Sequence, residues 1–135
     1  MTLIFCLDNN NGMLFAGKRQ SRDRVVCEKV LEISTGAVLR MSPYSAKLFP
    51  ETSQIVAEVD FLRNAGKGAC CFVEDYDYLP FMDSVSRIIL FKWNRDYPAD
   101  RYFSYDLSAN GYSLTSTELF SGHSHDEVTM EVYER

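Results

Sequence analysis

Four cations crowd a single carboxylate in the stretch KRQSRDR, where Lys18, Arg19, Arg22 and Arg24 surround Asp23. On a chain that is acidic elsewhere, this is the densest charge cluster, and such a field can seat a phosphate, a carboxylate or an acidic partner. A solvated loop is the competing reading. Asp23 lies one turn into an expected helix start, where a negative charge favours the positive end of the helix dipole. A second candidate surface combines Trp93, Tyr97, Tyr102, Phe103 and Tyr105 with Lys92, Arg95 and Arg101, a mixture able to stack bases or to contact a protein. Trp93 also reads as a core residue. Nucleophilic catalysis by a serine or cysteine needs a base beside it. The only two histidines are His123 and His125, and spacing alone sets neither next to a nucleophile. No catalytic triad is read from the sequence.

The chain has 135 residues, 46% of them apolar, with 19 acidic against 14 basic residues and a formal charge of -5. That length corresponds to one domain, residues 1–135, able to bury roughly two thirds of the surface that its unfolded form exposes. The negative charge opposes nucleic acid and anionic membranes as partners. Cys6, Cys27, Cys70 and Cys71 include no CxxC pair, and adjacent cysteines bridge each other only with strain, so reduced thiols are expected. The opening MTLIFCLDNN has no basic segment before its apolar run and reaches Asp8 too soon for a signal peptide or a membrane span. A cytoplasmic protein of bacterial type is expected.

The elements that must position these residues follow from apolar patterning. Leu3 to Leu7 is a continuous apolar run closed by the polar turn Asp8 to Gly12, the mark of a central strand buried on both faces. A helix capped by Ser21 is expected to place Val26, Cys27, Val30, Leu31 and Ser34 on one stripe and to stop at Gly36. Ala37 to Met41 predicts a strand, Tyr44 to Phe49 a short helix, and Gln54 to Val59, Ala69 to Val73 and Arg87 to Trp93 three more strands. Tyr112 to Phe120 and Val128 to Tyr133 predict a closing antiparallel hairpin, with Val128, Met130 and Val132 on one face. Strands alternating with helices imply a mostly parallel α/β sheet with flanking helices.

The order of these elements resembles dihydrofolate reductase. LIFCLDNNNGMLF is similar to that family's opening strand and glycine turn, QSRDRVV to its acidic residue at the first helix, and AVLRMSPYSAKLF to its strand, Met-Gly-Arg turn and helix. YLPFMDSVSRIILFKWNRDYPADRYF resembles its late strand and acidic loop, and EVYER its closing strand. The resemblance implies a dihydrofolate-reductase-like fold and puts Asp23 at the family's catalytic carboxylate, with a slip of one residue. It also implies a glycine run holding the cofactor's pyrophosphate, and here the matching CFVEDYDYLP has Glu74, Asp75 and Asp77 instead. The matching turn is Met41-Ser42-Pro43, without the family's arginine, and Pro50 to Gln54 holds no arginine for the pterin substrate's tail. These departures predict no nicotinamide cofactor.

His123-Ser124-His125-Asp126 partly spells the HxHxDH zinc signature of metallo-β-lactamase-type nucleases, and the chain also resembles short bacterial proteins labelled ribonuclease Z. The residues do not carry that label. The last position of the motif is Glu127 or Val128, and two histidines are too few for that fold's tetrahedral sites. An exposed hairpin loop without metal is expected. The leading expectation is therefore a non-catalytic binding or regulatory module, of the kind an inhibitor or immunity protein would be. Its partner would be a protein or an anionic ligand bound through Lys18, Arg19, Arg22, Arg24 and Trp93. The alternative is a pyridine-nucleotide-dependent reductase of altered specificity using Asp23, with Ser42 at a cofactor-side helix start. A metal-dependent nuclease is the third reading.

Overall fold

A computed structural model describes residues 1–135. Five parallel strands form its centre: β1 (Thr2–Leu7), β4 (Leu39–Met41), β5 (Ile55–Ala57), β6 (Cys70–Phe72) and β7 (Arg87–Lys92). The antiparallel pair β9 (Ser113–Phe120) and β10 (Val128–Glu134) extends them into a seven-stranded sheet of order β5-β4-β6-β1-β7-β10-β9. β1 thus lies between β6 and β7, parallel to both, as its unbroken apolar run demands. The mostly parallel α/β architecture and the C-terminal hairpin are those expected from the sequence.

Alternation along the strands divides the core in two. Leu3, Phe5 and Leu7 join Cys71, Val73, Ile88 and Leu90 on one face, while Ile4 joins Cys70, Phe72, Ile89, Phe91 and Trp93 on the other. Helix α1 (Arg24–Ile33) covers the second face through Val26 and Val30, both buried. The first face is covered by Phe61, Leu62, Tyr78, Met82, Phe103 and Tyr112, drawn largely from irregular chain. The only other α-helix is α2 (Pro43–Ala46), capped by Ser42 Oγ on Ser45 N–H and shorter than its predicted span because it ends at Lys47. No helix is long and apolar enough to cross a membrane.

Two local features differ from expectation. The chain after the Asp8 to Gly12 turn forms a hairpin that the sequence reading did not include: β2 (Gly12–Phe15) pairs with β3 (Lys18–Arg19), and β8 (Arg101–Tyr102) flanks β2 in a small second sheet. Ala16 and Gly17 both take positive φ, 52° and 75°, the twist that a two-residue hairpin requires. The N-cap of α1 is Asp23, not Ser21, because the Asp23 backbone is extended and its carboxylate accepts the Val25 N–H at 2.9 Å.

Candidate functional site

Parallel strands bring their C-terminal ends to one edge, the usual position for ligand sites in open α/β sheets. Asp23 is held at that edge by both ends of the chain. Its carboxylate accepts Val25 N–H from α1 and, from the β9–β10 loop, His123 N–H at 2.9 Å, Ser124 N–H at 2.8 Å and His125 Nδ1 at 2.8 Å. Burial by itself would raise its pKa, but the donors from His123, His125, Ser124 and Val25 outweigh that cost and hold it well below the ordinary carboxylate range. The loop approaches so closely that a Cβ on Gly122 would stand 2.6 Å from Asp23 Oδ2 and 2.9 Å from the His125 carbonyl. Gly122 is a requirement that sequence reasoning missed.

The expectation of an exposed HSHD loop holds for His123 and fails for His125. His125 is only 3% exposed, and its ring stacks on Trp93 with centroids 4.5 Å apart. Because Asp23 is ionised, Nδ1 of a neutral His125 carries the proton and Nε2 is left as an acceptor. Ser21 Oγ and Tyr97 OH each lie 3.0 Å from Nε2, and Tyr97 OH donates to Ser21 Oγ at 3.2 Å. A serine hydroxyl, an imidazole and a carboxylate are therefore linked by hydrogen bonds, with Tyr97 OH beside the first two, an arrangement that sequence spacing could not show. Asp8 fixes the two hydroxyl-bearing segments: its buried carboxylate accepts Gln20 Nε2 at 2.9 Å and Tyr97 N–H at 3.3 Å, besides Gly12 and Asn10 N–H. Gln20 donates to Asp8 and to the Pro98 carbonyl, which leaves its buried Oε1 without a donor.

The basic cluster does not form one patch. Arg19 is half-buried and makes a two-pronged ion pair with Glu74, Nε to Oε2 and Nη2 to Oε1, both 2.9 Å. Its guanidinium lies 4.2 Å over the Tyr44 ring, and Ser45 Oγ donates to Glu74 at 2.8 Å. Glu74 is thus no free charge. The three carboxylates expected to repel phosphate reduce to Asp75, which accepts Ser42 Oγ at 3.1 Å, and Asp77, which caps the Leu79 N–H. What stands at the end of β6 is a neutralised pair filling space, and the cavity between Arg19, Gln20, Ser21, Glu74 and Trp93 is only about 10 Å³. Lys18, Arg22 and Arg24 are exposed, Arg24 pairing loosely with Glu28 at 3.6 Å.

Arg22 and Arg24 face a groove of about 430 Å³ between α1 and the chain after α2, with Cys27, Leu31, Leu48 and Pro50 as its apolar lining. Lys18 and Arg19 do not line it. The aromatic segment is likewise dispersed: Trp93 is 4% exposed, Phe103 packs at 4.9 Å from Phe5, and Tyr102 alone is largely exposed. Trp93 therefore acts through His125 rather than as an open contact. The four thiols are free, and burial pushes Cys27 up to about 11 and Cys71 up to about 12. No three His, Cys, Asp or Glu side chains are grouped to hold a metal.

Two outcomes follow from this geometry. Asp23→Ala is expected to cost about 3 kcal/mol, because it strands several buried donors. Since the Asp23 pKa is lower folded than unfolded, its contribution is complete above about pH 4 and is lost as the pH falls towards the folded-state value, so urea titrations of parent and variant should converge in acid. Arg19→Glu sets a carboxylate against Glu74 and should cost about 3 kcal/mol or more. Arg22→Glu should change stability by no more than about 0.5 kcal/mol, and thermal unfolding of the two variants compares them directly.

No protein-family model matches the sequence, and no curated protein matches it. Among solved structures, the chain is similar to a dihydrofolate reductase from Enterococcus faecalis complexed with NADP(H) and RAB-propyl. The TM-score is 0.69 at 8% identity, covering 99% of this chain and 95% of that one. At that identity the likeness is one of architecture: the chain has a dihydrofolate-reductase-like fold.

Proposed function

We propose that this chain is a binding module on a dihydrofolate-reductase-like fold and not a nicotinamide-dependent reductase. The observation that carries the reading is the groove along α1, about 430 Å³, with an apolar lining and the exposed cations Arg22 and Arg24 at its rim. Its size suits a small molecule, and its chemistry suits one anionic head on an apolar body. Arg22 has no ion-pair partner, so it is free to meet that head. Against a reductase, Arg19, Glu74 and Ser45 fill the end of β6 where the resemblance expects glycines, and the cavity beside them is far smaller than the several hundred Å³ that ligand pockets occupy. Asp23, the one residue at a catalytic position of the resemblance, spends its carboxylate on donors from four residues of this chain.

Titration with 8-anilinonaphthalene-1-sulfonate, an apolar body with one anionic group, tests the groove. Saturable fluorescence enhancement is expected, with Arg22→Glu weakening the affinity about tenfold, equivalent to about 1.4 kcal/mol. Calorimetry with NADPH should give no dissociation constant at or below about 10 μM. Tight NADPH binding, or probe affinity indifferent to Arg22→Glu, would overturn the proposal.

A further inference from the structure

Ser21, His125 and Asp23 carry an activity that binding alone does not use. We infer that Ser21 is a nucleophile activated by His125, that Asp23 orients the base, and that the chain hydrolyses small activated esters whose anionic portion lies in the Arg22 groove. The substrate class rests on the binding reading above; the nucleophile does not.

Three observations converge. Ser21 Oγ is 3.0 Å from His125 Nε2, and His125 Nδ1 is 2.8 Å from Asp23 Oδ2, hydrogen-bond distances at both links of a nucleophile–base–carboxylate relay. The acceptor is set as well. Ionised Asp23 fixes the proton on Nδ1 and leaves Nε2 to accept, with the hydroxyls of Ser21 and Tyr97 both 3.0 Å from it. Finally, Ser21 stands beside the groove without lining it: the cavity of about 10 Å³ that Ser21 lines shares Arg22, Asp23, Cys27 and Leu48 with the groove, so the acyl carbon of a bound ester has to enter past these residues. Stacking on Trp93 and near-complete burial hold the imidazole in place. The backbone N–H groups of Ser21 and Arg22 make no hydrogen bond within the protein, so both are available to an oxyanion.

In the acylation step, Ser21 Oγ forms a bond to the ester carbonyl carbon while its proton passes to His125 Nε2. The ester C–O bond breaks, and the departing alkoxide takes that proton. Water, the co-substrate, then attacks the acyl carbon, gives a proton to Nε2 and releases the acid as Ser21 Oγ recovers the proton. No oxidant or reductant is needed.

The direct test is diisopropyl fluorophosphate, which forms an Oγ–P bond with loss of fluoride when a serine is activated. Peptide mass mapping of the treated parent should place the adduct on Ser21, and Ser21→Ala should remove it. The parent should hydrolyse mono-4-nitrophenyl succinate, and Ser21→Ala should lower that rate at least about a hundredfold while binding 8-anilinonaphthalene-1-sulfonate as the parent does, which shows that the variant is folded. An unlabelled Ser21, an adduct elsewhere, or hydrolysis undiminished in Ser21→Ala overturns the inference. Arg22→Glu separates the two claims. It should raise KM for the anionic ester but not for neutral 4-nitrophenyl acetate, and equal effects on both esters overturn the assigned substrate class even where Ser21 is labelled.

Discussion

The buried carboxylate of Asp23 ties together segments that lie about a hundred residues apart in the chain. It caps α1, so the helix begins at Arg24, and it gathers donors from three residues of the loop joining β9 and β10. A charge removed from water is costly unless its lone pairs are met, and here donors from four residues meet them. The hairpin therefore cannot slide along the edge of the sheet without uncovering that charge. Gly122 permits the approach, and His125 is carried onto Trp93 as a result. Asp8 does the same for the other half of the site, joining the end of β1 to Gln20 and to Tyr97.

A second buried charge shapes what the site is open to. Arg19 and Glu74 satisfy each other through two 2.9 Å hydrogen bonds, with Tyr44 and Ser45 completing the cluster. Their pairing closes the edge of the sheet beside β6, while the exposed cations that remain near α1 look into the groove beyond it. The fold thus keeps the outline of a dihydrofolate-reductase-like protein and redistributes its charge and space.

The parts of the molecule set by local pattern were legible in the sequence. Leu3 to Leu7 and Arg87 to Lys92 read as strands because continuous apolar runs are what two-faced burial requires, and the alternation of Val128, Met130 and Val132 announced the closing hairpin. The stripe of Val26 and Val30 found its helix. The site was less legible because its defining contacts are long-range. His125 stands among Gly, Ser and Asp, a context that reads as exposed, and only its pairing with Asp23 and its stacking on Trp93 bury it. Arg19 looked like one of four equivalent cations until Glu74, 55 residues later, removed it from the surface. Ser21 seemed the natural helix cap, and Asp23 took that role while Ser21 turned to the imidazole.

Long-range proton–nitrogen correlation NMR of the imidazole rings at neutral pH examines the arrangement at its centre, with exposed His123 as an internal reference. A His125 whose Nδ1 keeps its proton on Asp23, seen as a slowly exchanging Nδ1–H that His123 lacks, is the expected result. A His125 that averages between tautomers and exchanges its protons as freely as His123 would contradict the burial of the pair and the site built upon it.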